Sequence, residues 1–317
     1  MKAVQLAQYG GPEVLQVQEV PDPVPGPQDV LVKVAATTVN RLDLFQRDGS
    51  RPTGKLPFTP GLEAVGTVLA DNAGFRAGER VMTTWAQAAK GGGGYAGIIA
   101  ATASTLIRIP DNVSFEEAVA TGLVSSTAWG ALFDVGGLQR GESVLIWAGS
   151  SGVGTIAIQM AKHAGCKVFT TASSVEKAAK LRELGADVVV NHKTEDVAQV
   201  VRSAGGVNLV IELVGTTLQT SIDACANGGR VVLIGNLGGQ NATVDTQSWR
   251  LKLVNVLGAG IRHTSVENER RILELVAEKA IRPVIGLTLL VEQAAEAHHI
   301  LAKNEIMGKI VLMHEKP

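Results

Sequence analysis

The stretch VLIWAGSSGVGTIAIQMAKHAG, residues 144–165, decides the reading of this 317-residue chain. It passes from an apolar, β-branched run through the turn AGSSGVG into a segment whose apolar residues recur at helical spacing. A strand, a small-residue turn and a helix in that order point backbone N–H groups at a helix N-terminus, where a pyrophosphate can be held. The glycines fall as GxxGxG at Gly149, Gly152 and Gly154, with Ser151 where the middle glycine of GxGxxG would stand. Gly154 is the position at which helix and strand must pack closely. A dinucleotide site is thus expected over Ser150, Ser151, Gly152, Val153 and Gly154, against the plainer reading of an ordinary strand-to-helix turn. Residues 143–161 carry no charge and are nearly long enough to cross a bilayer, but Gly149, Ser150, Ser151 and Gly152 would interrupt a helix there. No membrane span is expected.

Outward from this stretch, the strands KVFTTA, VVVNH, LVIELVG, RVVLIG and VNVLGAGI alternate with helical segments such as SVEKAAKLRELG and LQTSIDACA. Continuous apolar strands separated by helices predict a parallel sheet covered on both faces. Before Pro110 the texture differs: short apolar runs are divided by Gly and Pro, including four prolines from Pro21 to Pro27, which reads as strands and turns. Ser114 and Glu117 form a capping-box pair at the start of a helix. The expected domains are residues 1–113, a nucleotide-binding domain over 114–266, and a segment 267–317 that returns to the first domain.

About 20 residues beyond such a turn, an NAD-binding domain usually carries an Asp or Glu for the ribose 2′-hydroxyl. Here the chain reads Ala172, Ser173, Ser174, with Lys177 one helical turn further on. Hydroxyls and a cation suit a 2′-phosphate that a carboxylate would repel, so NADPH is expected over NADH. A solvated surface lysine is the alternative for Lys177.

Composition narrows the function classes. Apolar residues make up 45% of the chain and charged ones 19%, with a net charge of −1 from 29 basic and 30 acidic residues. Without a basic patch there is no electrostatic footprint for nucleic acid. Two cysteines, Cys166 and Cys225, supply neither a disulfide framework nor a cysteine zinc site, and a reducing, cytoplasmic setting is expected.

The chain resembles the medium-chain dehydrogenase/reductase superfamily, and within it the zeta-crystallin-like quinone oxidoreductases that work without zinc. The resemblance rests on GGPEVLQV (10–17), TVNRLDLFQRDG (38–49), FTPGLEAVGTV (58–68), GERV (78–81), STAWGAL (126–132), the glycine turn and NEIMGKIVL (304–312). It implies an α/β protein in which a GroES-like, partly open β-barrel catalytic domain is joined to a Rossmann doubly wound parallel sheet. In zinc-dependent relatives the metal is held by Cys, His and Cys, and those positions correspond here to Asn40, Leu62 and Leu123. Leucine has no lone pair for a metal, and the stretch TTWAQAAKGGGG (83–94) has no four-cysteine lobe, so no metal is expected. Glu63 reads as a structural carboxylate.

Without a metal, the simplest chemistry is hydride transfer from NADPH to a quinone or another α,β-unsaturated carbonyl, with the protein positioning the partners. The resemblance implies Asn40 and Asp43 beside the nicotinamide and acceptor, with Thr127 touching the nicotinamide. The Asn40 amide would donate to the acceptor oxygen; a structural asparagine and a helix-capping aspartate are the competing readings. His192, Val214, Gly215, Gly235, Asn236, Leu237 and Asn304 carry over as further cofactor contacts. His263, His298 and His299 read as packed or solvated, and Trp85, Trp129 and Trp249 as packing. Two other functions stay open: a metal-free alcohol or aldehyde dehydrogenase, and a non-catalytic NADPH-binding protein of the crystallin or RNA-binding kind. The apolar strand VNVLGAGI would be an edge liability if bare, which with the resemblance predicts a homodimer.

Overall fold

The structure, a computed structural model, describes residues 1–52, 55–88, 93–259 and 264–315. His263 and the end of the VNVLGAGI run lie outside the described residues. The chain divides into two compact units, one of residues 1–123, 266–279 and 283–317, the other of residues 124–265 and 280–282.

The first unit holds a two-stranded antiparallel ribbon, β1 (Lys2–Gln5) with β2 (Gln16–Glu19). Its main sheet has seven strands: β3 (Asp29–Val39), β4 (Ala64–Val68), β5 (Arg80–Thr83), β6 (Ile98–Thr102), β7 (Leu106–Arg108), β14 (Ile285–Leu290) and β15 (Lys309–Met313). The order is β14-β15-β3-β4-β5-β7, and the long β3 pairs with β6 along its first half and with β15 along its second. A register shift between Val34 and Ala36 bends β3 against β4. Gly66 sits opposite this bend, where a Cβ would lie 2.0 Å from the Lys33 carbonyl oxygen. The helices are α1 (Arg41–Asp48), α2 (Trp85–Ala88), the first part of α3 (Phe115–Trp129), α9 (Val266–Ala277) and α10 (Ala294–Ala302). Ile310 and Leu312 of β15 face Val39, Leu44 and the α10 residues Ala294 and Ala297; Val311 and Met313 face Met82, Ile107 and Leu273. The two faces of one strand thus enter two cores, as its period of two requires.

The unit boundary falls at Leu123/Val124 rather than at the change of texture near residue 113. The reason is packing: Val113, Ala118, Val119 and Ala120 are buried with Ala36, Val65, Met82 and Val311. The predicted capping box opens α3, with the Ser114 N–H on Glu117 Oε2 at 3.0 Å and the Glu117 N–H on Ser114 Oγ at 3.1 Å. Residues 115–135 are long and apolar enough to cross a membrane, yet 72% of that apolar window is buried inside the protein.

The second unit is a six-stranded parallel sheet: β8 (Ser143–Ile146), β9 (Lys167–Ala172), β10 (Val188–Asn191), β11 (Val207–Glu212), β12 (Cys225–Leu233) and β13 (Asn255–Gly258). Its order, β10-β9-β8-β11-β12-β13, is the 3-2-1-4-5-6 order of the Rossmann fold. Its helices are α4 (Gly152–His163), α5 (Val175–Glu183), α6 (Val197–Ser203), α7 (Leu218–Ala224) and α8 (Thr246–Lys252). Val144, Leu145, Ile146, Leu209, Val210 and Ile211 are all fully buried, as continuous apolar strands covered on both faces must be. The uncharged stretch 143–161 is therefore a strand, a turn and a helix. Ligands in such sheets bind beyond the carboxyl ends of the strands, where the order reverses, here between β8 and β11.

Candidate functional site

At the end of β8 the chain turns through Ala148 in a left-handed conformation (φ 50°). Ser151 then caps α4, its hydroxyl accepting the Gly154 N–H at 3.0 Å. A Cβ on Gly154 would lie 2.4 Å from the Ala148 carbonyl oxygen and 2.8 Å from the Gly149 Cα, which explains glycine at that position. Among the described residues, no acceptor is bonded by the amides of Ser150, Gly152 or Val153. Those amides and the α4 N-terminus form an anion cradle, so the residues present fit a dinucleotide pyrophosphate.

The residues predicted to read the ribose come together at the ends of β9 and β10, where Asn191 pairs with Ala172. Ser174 caps α5 and accepts the Lys177 N–H at 3.2 Å. The His192 N–H donates to the Ala172 carbonyl at 3.2 Å, and partial burial lowers the imidazole pKa. Ser173 and Lys177 are half-buried. Glu176, which the sequence reading passed over, shares the Ser174 hydroxyl, and that bond holds its carboxyl below the usual range.

The turns after β11 and β12 are tied to one another and to Glu212. The Val214 and Gly215 amides do not face outward; they donate to Glu212 Oε1 at 2.8 and 3.0 Å. Any contact these residues make with a nucleotide falls to their other atoms. The Leu237 and Gly238 amides donate to the carbonyls of Leu213 and Val214 at 3.1 and 2.8 Å, tying the loop of Gly235 and Asn236 to the preceding one. Thr127 is half-buried on α3.

In the first unit, Asn40 ends β3 and opens α1. Its Nδ2 donates to Thr38 Oγ1 at 3.2 Å and to Glu63 Oε1 at 3.0 Å, while its Oδ1 accepts from Lys309 Nζ at 2.6 Å. Lysine has no acceptor and an ionised carboxylate no donor, so this amide orientation is the one the partners allow. The two acceptors lie side by side next to Nδ2, so the amide nitrogen is anchored from that side and its oxygen is held by Lys309. Glu63 and Lys309, 4% and 5% exposed, form a buried ion pair at 3.3 Å. Thr38 Oγ1 also donates to Glu63 Oε1, and the Leu123 N–H donates to Oε2 at 2.6 Å. A Cβ on Gly122 would sit 2.3 Å from that same oxygen.

Asp43 is fully buried and caps α1, accepting the Asn40 N–H at 2.7 Å and the Gly61 N–H at 3.2 Å. Burial pushes its pKa up to about 7, against the opposing pull of those amides and of Lys309. The bond from Asn40 is the capping one, and the bond from Gly61 ties α1 to the segment before β4. Asn304, left-handed at φ 59°, accepts from Arg41, which also reaches the Leu301 carbonyl. Leu62 and Leu123 are buried apolar side chains. Among the described residues, no group of three or more His, Cys, Asp or Glu is placed to hold a metal ion.

The remaining candidates are structural. His298 is buried between Tyr95 Oη at 2.9 Å and Arg47 at 3.5 Å, and burial pushes its pKa down to about 3. Trp129 packs edge-on against Phe133, and the Trp249 indole donates to the Val254 carbonyl at 2.7 Å. Both cysteines are buried free thiols.

Glu63, Lys309 and Glu212 went unread as site residues. The available signal was a charge set inside an apolar run: GLEAV, KIVLM and LVIEL.

Comparison with known proteins agrees with this geometry. The alcohol dehydrogenase GroES-like domain family matches residues 26–111, and the zinc-binding dehydrogenase family matches residues 152–278. The quinone oxidoreductase of Lama guanicoe is 32% identical over 99% of this chain and 97% of its own. A crystal structure of an NAD-dependent alcohol dehydrogenase superposes with a TM-score of 0.91 at 32% identity, covering 99% of this chain and 100% of that one. Escherichia coli quinone oxidoreductase in complex with NADPH superposes with a TM-score of 0.87 at 27% identity, covering 99% and 100%. With this fold and these full-length relatives, the chain is an oxidoreductase that belongs to the quinone oxidoreductase family of the medium-chain dehydrogenase/reductase superfamily.

Proposed function

We propose that this protein uses NADPH to reduce a quinone or another α,β-unsaturated carbonyl, without a metal. The observation that carries the reading is the phosphate turn at the sheet's reversal point, with amides at Ser150, Gly152 and Val153 that bond no acceptor among the described residues, followed by hydroxyls and Lys177 where NAD-binding domains usually carry a carboxylate. The NADPH complex of the Escherichia coli relative supports it. Bound NADPH supplies the hydride. The chain's own residues hold the pyrophosphate on the α4 N-terminus and offer Ser173, Ser174, Lys177 and His192 to the 2′-phosphate. Val214, Gly215, Gly235, Asn236 and Leu237 then line the nucleotide, and Thr127 and Asn304 contribute to the nicotinamide end.

The metal-free part rests on donor chemistry. The positions corresponding to zinc ligands are Asn40, Leu62 and Leu123. Two are leucines, and the Asn40 oxygen is taken by the Lys309 ammonium. The Lys309 ammonium is the cation beside Glu63 and Asn40. Asn40 and Asp43 act as positioning groups at the N-terminus of α1. Asn40→Leu would strip one partner each from Glu63 and Lys309, so it is expected to cost about 2–4 kcal/mol of stability. Chemical denaturation checks this; a variant as stable as wild type with slowed turnover alone would assign Asn40 to the acceptor instead of to the fold.

Lys177→Glu tests the cofactor reading. It is expected to weaken NADPH binding about tenfold or more while leaving NADH within about twofold. An unchanged ratio of the two dissociation constants removes Lys177 from the 2′-phosphate site. A second reading, NAD(P)-dependent alcohol oxidation, is favoured by the similarity to the alcohol dehydrogenase structure. A panel of ortho- and para-quinones, an enone and a simple alcohol separates the two: NADPH oxidation by a quinone or enone supports the first, and alcohol-dependent NADP reduction supports the second.

The assembly proposed is a homodimer through β13, which pairs with β12 on one side and ends the sheet. Leu251 and Leu253, 62% and 71% exposed, lie just before it. A dimeric mass in solution at micromolar concentration is expected, and a monomeric mass overturns the assembly.

A further inference from the structure

We infer that Glu212 is a positioning residue that holds the loops after β8, β11 and β12 in one arrangement, so that the nucleotide meets a preformed edge. The inference rests on the dinucleotide reading given above. Glu212 ends β11, is fully buried, and has no cationic partner among the described residues. A buried carboxylate without a cation is costly unless hydrogen bonds satisfy it. Here four donors serve the two oxygens, the Thr217 hydroxyl lying between both. Oε1 accepts the Val214 and Gly215 amides and the Thr217 hydroxyl at 2.8, 3.0 and 2.8 Å; Oε2 accepts Thr217 Oγ1 at 2.9 Å and Ser221 Oγ at 2.5 Å.

These donors lead outward to the neighbouring loops. The Ser221 oxygen accepts the Trp147 indole N–H at 2.8 Å, and Trp147 opens the phosphate turn. Drawing the Val214 and Gly215 amides inward turns the Leu213 and Val214 carbonyls away from Glu212, toward the next loop. Those carbonyls accept the Leu237 and Gly238 amides. Each chain thus runs from a carboxylate oxygen through a polarised peptide to an amide of the β12 loop, and such chains reinforce one another. Close packing leaves this arrangement little freedom: a Cβ on Gly215 would lie 2.4 Å from the Gly239 carbonyl oxygen. One negative charge thereby links the loops that the proposed function assigns to pyrophosphate, adenosine and nicotinamide.

The test uses Glu212→Gln in the full chain. The substituted carboxamide would keep the shape but present N–H groups to donors on one side. Three quantities are compared with wild type: the NADPH dissociation constant, from fluorescence of the bound nicotinamide; the KM values for NADPH and quinone; and amide hydrogen exchange of the free protein. The expected result is a rise of roughly tenfold or more in the NADPH constant and in its KM, with the quinone KM within about twofold. The Leu237 and Gly238 amides should lose protection while the α4 amides keep theirs. A purely structural role would instead lower the melting temperature and leave the affinity of the folded fraction unchanged. A folded variant with NADPH affinity within about twofold of wild type overturns the inference. If Glu212→Gln does not fold, Thr217→Val removes one bridging hydroxyl, and roughly a threefold weakening is expected; unchanged affinity again overturns it. Wild type that binds no NADPH would sink the cofactor reading instead, and exchange at Leu237 and Gly238 would then decide the loop coupling by itself.

Discussion

Lys309→Met is expected to destabilise the protein by about 3–5 kcal/mol, because it leaves the Glu63 carboxylate buried with no cation. Three donors would remain on Glu63, from Thr38, Asn40 and the Leu123 amide, but hydrogen bonds alone do not replace an ammonium at 3.3 Å in a site that excludes water. Methionine approximates the lysine stem, so the cost is electrostatic rather than a cavity. The double variant Glu63→Gln/Lys309→Met removes both charges and should recover a large part of the loss. Urea denaturation of the four proteins completes the cycle. If Lys309→Met is within about 1 kcal/mol of wild type, the ion pair is not what holds β15, α1 and the Glu63 segment together.

Gly154→Ala is expected to weaken NADPH binding by about 10²-fold, the scale of misplacing a binding group by ~1 Å. The added methyl group would collide with the Ala148 carbonyl oxygen and the Gly149 Cα, and neither belongs to a flexible side chain that can swing away. Relief requires the α4 N-terminus to move off β8, taking the Ser150, Gly152 and Val153 amides out of register with a pyrophosphate. The same substitution at Gly137, where an added Cβ meets nothing within 4 Å, controls for adding a methyl group in this unit, although its left-handed φ of 55° carries a local strain. NADPH titration of Gly154→Ala giving wild-type affinity would remove the turn from the cofactor site.

What the sequence made legible follows from local periodicity. Apolar β-branched runs, small-residue turns and helical spacing are features of neighbouring residues, so β8 to β13, α4, α5 and the capping box of α3 could be read directly. Short helices were harder: α6 and α8, seven residues each, are too short to show a period, and α1, RLDLFQRD, reads as a charged segment until Asp43 is seen capping it. The site in the first unit was hidden for another reason. Asn40 and Lys309 are 269 positions apart, and they meet because β15 returns to pair with the end of β3. Residue type marked Asn40 as a candidate amide; the pairing of β3 with β15 is what brings the Lys309 ammonium to its oxygen. Likewise nothing local to the turn after β11 shows that the Glu212 carboxylate draws the Val214 and Gly215 amides inward.

The proposed reaction is hydride transfer from NADPH to a conjugated carbonyl without a metal, with Lys309 as the cation beside Asn40 and Glu63. Its most direct test is the rate of NADPH oxidation by a quinone before and after exhaustive chelation, with zinc added back. The same rate is expected in all three states. Loss of activity on chelation that zinc restores, or no NADPH oxidation in any state, would contradict it.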